Sequence, residues 1–61
     1  MEIREILYII ATKQYYNLEE FCDYYGNREK VEKLLKEGYI EEASNLRTTL
    51  KGNDFLKNNE D

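Results

Sequence analysis

Asparagine and glycine residues divide this chain into short segments, and their positions constrain the fold more than any other feature of the sequence. Asn17 precedes a short segment that ends at Gly26, and Asn27 precedes a second segment that ends at Gly38. Asparagine is favoured at helix N-caps, and glycine readily adopts the left-handed conformation that ends a helix. The pattern indicates two short capped helices joined by a tight turn, the arrangement of a helix-turn-helix. The predicted helices span residues 18–25 and 28–37.

The first segment, residues 2 to about 13, has the apolar periodicity of one helix face. Its apolar residues recur at intervals of three and four, at Ile3, Ile6, Leu7 and Ile10. One interpretation is a central core helix of a small domain. The other is that neighbouring apolar and aromatic residues extend this stripe into a self-complementary patch for a homodimer or another protein partner. The residues assigned to that interface are Ile3, Tyr8, Ile9, Tyr15 and Tyr16.

After Gly38 the pattern changes from helical to extended. Residues 39–43 and 46–49 contain aromatic and β-branched side chains on either side of Ser44 and Asn45. Two such runs around a short polar turn are typical of a β-hairpin.

A last helix is predicted from Leu50 to about residue 58. Thr49 can cap it, and Phe55 and Leu56 are its apolar anchors. Residues 59–61 are polar and are expected to fray. One domain spanning residues 1–58 accounts for the whole pattern.

Two blocks of sequence resemble the winged helix-turn-helix family, of the MarR- and PadR-like type. Residues 34–42 (LLKEGYIEE) are similar to the end of a recognition helix that leads into a β-hairpin wing, and residues 47–56 (RTTLKGNDFL) to the start of the last helix. The resemblance covers residues 17–57, with a shorter recognition helix and with Leu50 where proline is usual. It implies a mostly α member of the α+β class, with three helices, a two-stranded wing and a short C-terminal helix.

The resemblance also implies a DNA-binding regulator. In a winged helix, the recognition helix, implied here to be residues 28–37, enters the major groove, and the wing, implied to be residues 43–47, lies beside the backbone. Arginine and asparagine can read base edges, whereas lysine mostly contacts phosphate. The implied contacts are Asn27, Arg28, Lys30 and Lys33 in the helix, with Lys36 at its end, and Asn45, Arg47 and Lys51 on phosphate.

The distribution of charge limits such binding. Residues 28–57 contain seven basic and six acidic side chains, whereas residues 1–27 contain two basic and five acidic ones. The spacing of Glu29 and Glu32, each four residues before a lysine, favours ion pairs within the helix. We therefore expect weak DNA binding by a monomer, and a homodimer, which doubles the basic helices, as the binding form.

The tyrosine content supports an alternative, a protein-interaction module that does not contact DNA directly. Six of the 61 residues are tyrosine, a residue type enriched at interface hot spots. The partner would be another regulator, a polymerase subunit or a basic DNA-binding groove, as for an antirepressor or inhibitor. The tyrosines can equally cover a thin core with their rings while their hydroxyls reach water. The tyrosines concerned are Tyr15, Tyr16, Tyr24 and Tyr39.

The residue inventory argues against several other classes of protein. With no histidine and one cysteine, Cys22, the chain cannot assemble a Cys/His zinc site, a disulfide framework or a nucleophile–histidine pair. It has no glycine-rich phosphate loop and little room for a catalytic pocket, so we expect no enzyme activity, cofactor, metal or small-molecule substrate. Cys22 itself falls on an apolar helix face and is expected to be a buried small hydrophobe.

The apolar segments are too short for a membrane-spanning helix, and the first residues lack a secretory signal pattern. We therefore expect a cytoplasmic protein that does not enter the membrane. The small size suits an accessory protein of a phage or another mobile element.

Overall fold

The computed structural model describes residues 1–58, which form four helices and one two-stranded antiparallel sheet. The chain is a mostly helical α+β protein, and the observed elements match the predicted ones to within one residue at each end. Their order is compatible with a winged-helix-like topology. The predicted frayed tail, residues 59–61, lies outside the described residues. The elements are α1 (Ile3–Thr12), α2 (Leu18–Tyr25), α3 (Arg28–Lys36), β1 (Ile40–Glu42), β2 (Leu46–Thr48) and α4 (Leu50–Asn58).

The core forms where the apolar faces of the helices meet the inner face of the hairpin. Helix α1 contacts α3, α4 and β2, which makes it the central helix of the fold. Cys22 is half-buried at the edge of the core, and burial raises the pKa of its thiol. The buried core residues among residues 1–58 are Ile6, Leu7, Ile10, Leu18, Phe21, Val31, Leu34, Ile40 and Leu46.

The turn between α2 and α3 lies where it was predicted, but Asn27 does not cap α3 with its side chain as predicted. At α2, the Asn17 side chain accepts the backbone N–H of Glu20 at 2.9 Å, as expected of an N-cap. At α3, Asn27 occupies the cap position with a left-handed backbone, φ 60°, and makes no side-chain cap bond. Its amide instead donates to the carbonyl of Tyr25 at 2.9 Å. Gly26 also has a positive φ, of 70°. These two consecutive residues reverse the chain, so a turn of only two residues joins the two helices.

The hairpin has a neighbour that sequence reasoning missed. Strands β1 and β2 pair in antiparallel register, with Glu41 opposite Arg47. On the other side of β2, Leu46 forms an isolated antiparallel bridge with Tyr15 and donates its backbone N–H to the Tyr15 carbonyl at 2.8 Å. The α1–α2 connection therefore borders the sheet, and this bridge brings Tyr15 close to the tip of the hairpin.

Helix α4 begins at the predicted cap and lies close to the turn into the hairpin. The Thr49 hydroxyl accepts the backbone N–H of Gly52 at 3.2 Å and donates to the carbonyl of Gly38 at 2.6 Å. A Cβ atom on Gly52 would collide with the backbone carbonyl of Tyr39. This close approach explains why glycine occupies the third position of α4.

None of the helices within residues 1–58 combines the length and apolar character needed to cross a lipid bilayer.

Candidate nucleic-acid interface

Helix α3 presents a mixed face to solvent. At about 100° per residue, the side opposite its buried Val31 and Leu34 contains Glu29, Lys33 and Lys36. The two remaining basic residues of the helix lie on its flanks, one towards α2 and one towards α1. The exposed face of α3 thus offers two lysines and one glutamate to a ligand.

Arg28 lies on the flank that faces α2. Its guanidinium contacts the carboxylate of Glu19 at 3.1 Å and that of Glu32 at 3.5 Å. The hydrogen bond with Glu19 raises the pKa of Arg28 above its ordinary value. This geometry directs the predicted base-reading side chain along α2.

Lys30 and Asn27 are likewise bound within the chain. The ammonium of Lys30 donates to the backbone carbonyl of Met1 at 2.5 Å, which ties α3 to the start of α1. The amide of Asn27 is bound to the Tyr25 carbonyl, as described above. Three of the four helix residues predicted to contact DNA therefore already have partners in the fold.

The ion pairs predicted between Glu29 and Lys33 and between Glu32 and Lys36 do not form within residues 1–58. The (i, i+4) pair in this helix joins Glu32 to Arg28 instead. The prediction was wrong for Glu32 because Arg28 lies on the same flank of the helix, within reach of the Glu32 carboxylate. Lys33 and Lys36 remain exposed, so they are the cations of α3 most accessible to a phosphate.

The predicted phosphate contacts of the hairpin region are also engaged. Arg47 donates from Nε to the carboxylate of Glu41, its cross-strand neighbour, at 2.6 Å. Lys51 donates to the carbonyl of Glu37 at 2.9 Å and lies 4.6 Å from the centre of the Tyr39 ring. Asn45 is half-buried at the turn between the strands. Arg47 and Lys51 are thus each bound to another group of the same chain.

The five residues assigned to a dimer or partner interface do not share one surface. Tyr8 is 62% exposed and lines a groove of about 930 Å³ between α1 and α4, the α1–α4 groove. Ile3 and Ile9 are half-buried and pack against the core. Tyr15 and Tyr16 lie in the connection between α1 and α2, beside the hairpin tip. Tyr8 is therefore the member best placed to meet a second copy.

An aromatic cluster surrounds the buried ring of Phe21. Its ring centre lies 5.3 Å from that of Tyr15 and 4.8 Å from that of Tyr25. The hydroxyls of Tyr15 and Tyr25 share a hydrogen bond of 2.9 Å, and this bond together with burial raises the pKa of Tyr15 to about 12. The cluster reaches solvent at Tyr24, which is 73% exposed.

The tyrosines proposed for protein contacts thus divide into two kinds. Tyr16 and Tyr24 are exposed, at 77% and 73%. Tyr15 and Tyr39 are half-buried and pack against the core with their rings. They therefore also fit the alternative that tyrosine rings cover a thin core.

No family model matches the chain, and no curated protein or solved structure is significantly similar to it.

Proposed function

We propose that this chain is a small cytoplasmic winged-helix regulator that binds duplex DNA through α3 and the hairpin as a homodimer. The observation that carries the proposal is the order of elements around α3. A tight turn joins α2 to α3, the hairpin follows α3 directly, and α3 presents Lys33 and Lys36 to solvent. This is the arrangement in which a winged helix presents its recognition helix and wing to DNA.

The proposed contacts differ in kind from the pattern that the sequence resemblance implies. Lys33 and Lys36 contact phosphate, because lysine ammonium groups carry charge without the planar geometry that reads base edges. Arg28 adds a further phosphate contact when Glu19 releases it. The proposed binding is therefore dominated by the DNA backbone and depends strongly on salt.

A second copy is part of the proposal because one copy offers few cations. Each phosphate neutralised adds to the salt dependence and affinity of binding, and two copies double the number of lysines. A two-fold dimer also fixes the distance between two recognition helices. The exposed Tyr8 in the α1–α4 groove is the proposed contact between copies.

A salt titration tests this function. A labelled duplex of about 20 base pairs is titrated with protein by fluorescence anisotropy, from about 50 mM salt upward. We expect the double variant Lys33→Gln/Lys36→Gln to reduce the slope of log K against log salt by about two per copy bound. The control is Lys13→Gln, compared with the single variant Lys33→Gln, because it removes the same charge away from α3 and away from the α1–α4 groove. Absence of binding at about 50 mM salt, or equal losses in both variants, would overturn the proposal.

A second candidate function is the protein-interaction module, acting as an antirepressor or inhibitor. One observation favours it: five predicted DNA contacts are bonded to other groups of the same chain. The exposed rings of Tyr16 and Tyr24 beside an acidic helix offer a surface for protein instead. Under this function the salt titration detects no DNA binding. The five engaged residues are Asn27, Arg28, Lys30, Arg47 and Lys51.

A further inference from the structure

We propose that a pocket beside the hairpin tip binds an arginine side chain from a basic segment of a partner protein. The pocket has a volume of about 400 Å³ and lies where the α1–α2 connection meets the turn between β1 and β2. Its existence depends on the bridge between Tyr15 and Leu46, which holds the two segments together. We call it the tip pocket. Its lining residues are Gln14, Tyr15, Tyr16, Glu20, Ser44 and Asn45.

The charge of the tip pocket selects a cation. Within the described part of the chain, Glu20 is the one charged residue that lines it. The other lining side chains carry amide or hydroxyl oxygens, which accept hydrogen bonds from a cationic donor. A phosphate would be repelled by Glu20, so this pocket is suited to a positively charged group.

The carboxylate of Glu20 is already held in position. Its Oε1 atom accepts the backbone N–H of Tyr16 at 2.6 Å, and its own backbone N–H donates to Asn17 at 2.9 Å. Its second oxygen accepts no hydrogen bond from residues 1–58, whereas the neighbouring Glu19 is occupied by Arg28. Because the carboxylate is fixed in advance, a ligand loses little free energy in ordering it.

The aromatic walls favour arginine over a smaller cation. A planar guanidinium stacks on a tyrosine ring while its N–H groups bond a carboxylate. Tyr16 is 77% exposed, and the Tyr15 ring is held by its edge contact with Phe21. Tyr24, whose ring centre lies 6.1 Å from that of Tyr15, extends the aromatic surface outward.

The surroundings of the pocket favour a protein segment with several basic residues. The outer side of α2 also carries Asp23, three residues after Glu20, and residues 1–27 together have an excess of three acidic side chains. A basic segment that placed one arginine in the pocket would bring its other cations against this acidic surface. Charge complementarity therefore identifies the occupant as a basic peptide, whether or not the domain also binds DNA.

The experiment uses a blocked hexapeptide of glycine and serine with two arginines, and its citrulline counterpart, which keeps the shape and removes the charge. Binding to the full chain is followed by calorimetry and by NMR of the tyrosine rings, at about 50 mM salt. We expect the arginine peptide to bind about five-fold or more tightly than the citrulline peptide, with shifts at Tyr15 and Tyr16. No binding of the arginine peptide, or equal binding of both, would overturn the proposal.

A matched pair of variants separates the pocket from general charge attraction. Glu20→Gln keeps the acceptor for the Tyr16 N–H and removes the charge, while Glu29→Gln removes the same charge from the first turn of α3. We expect Glu20→Gln to weaken peptide binding about three-fold or more and Glu29→Gln to leave it nearly unchanged. Equal losses would contradict the assignment to the pocket.

A second pair of variants covers the case in which Glu20→Gln fails to fold. Tyr16→Ala should weaken binding of the arginine peptide about three-fold, whereas Leu50→Ala, which truncates an exposed side chain at the start of α4, should not. Unchanged binding in Tyr16→Ala would show that the ring does not contact the peptide and would overturn the proposal. Neither pair depends on the outcome of the DNA titration.

Discussion

Arg28 donates from Nη2 to both carboxylate oxygens of Glu19, at 3.1 and 3.3 Å, and so joins the start of α3 to α2. The two residues are nine positions apart and become neighbours because the Gly26-Asn27 turn folds one helix back against the other. Under the proposed DNA-binding function, this pair holds the one arginine of α3 away from the ligand. A carboxylate on α2 would then regulate how much of the recognition helix is available.

Removal of the Glu19 charge tests that role. We expect Glu19→Gln to release Arg28 towards phosphate and to steepen the slope of log K against log salt by about 0.9 per copy bound. Both side chains are exposed, so we expect little change in folding stability. The control is Asp54→Asn, which removes the same charge from an exposed position of α4 outside the α1–α4 groove. An equal change in both variants would indicate a general effect of net charge.

Self-association is expected to depend on Tyr8. The α1–α4 groove is lined by the Tyr8 ring, Ala11 and Leu56, with charged residues around them, and burial of such apolar surface drives association. We expect sedimentation to give a dimer mass for the wild type and a monomer mass for Tyr8→Lys. Tyr24→Lys, at another exposed tyrosine, should remain a dimer. A monomeric wild type at all concentrations would remove this interface from the proposal. Ile9→Lys is less informative because Ile9 packs against the core.

Gly52→Ala distinguishes helix propensity from tertiary packing. Alanine is favoured over glycine within a helix, by up to about 1 kcal/mol in the helix interior, and for Gly52 in the first turn of α4 this predicts a gain in stability. The collision with the Tyr39 carbonyl predicts the opposite, a loss of about 1–3 kcal/mol, as for other overpacked sites. Urea unfolding followed by circular dichroism measures the sign. Asp54→Ala, exposed on the same helix, should change stability by less than about 0.5 kcal/mol.

The hydrogen bond between Tyr15 and Tyr25 predicts a pH dependence of stability. Tyr15 has a pKa of about 12 in the folded state, raised from 10.0. Because the folded state holds this proton more tightly, the stabilisation is complete below pH 10 and is lost as the pH rises to 12. Tyr25→Phe should lower the pKa of Tyr15 and reduce this loss.

Ring-carbon NMR titrations and urea unfolding at pH 9 and 11 measure both effects. Tyr8→Phe serves as the control, because Tyr8 is outside the aromatic cluster. A Tyr15 pKa that stays near 12 in Tyr25→Phe would contradict the role of the hydrogen bond.

Local sequence signals were sufficient to predict the elements of this fold. Asn17, Gly26 and Thr49 act through their own backbone neighbours, so their effects can be read from a few adjacent residues. The apolar periodicity of α1 has the same local character, because Ile6 and Leu7 face one side of a helix whatever packs there. The β-hairpin was predicted from the change from a helical to an extended sequence pattern after Gly38.

The candidate site was less predictable because its properties depend on residues far apart in the chain. Arg28, Lys30 and Lys51 have the right chemistry and position for DNA contacts, but their availability is set by Glu19, Met1 and Glu37. The tip pocket likewise needs the Tyr15–Leu46 bridge, for which the sequence has no local signal. A bridge of one residue pair is too short to produce the alternation of apolar and polar residues that marks a strand in the sequence.

The sequence by itself determined which segments become helix and strand, and which face of α1 enters the core, because capping, turn formation and apolar periodicity act over a few neighbouring residues. Only the tertiary structure decided which charges are available to a partner. That depends on the distances between side chains on different elements: Lys33 and Lys36 remain accessible on α3, Arg28 is held by α2, and Glu20 has no ion-pair partner among residues 1–58.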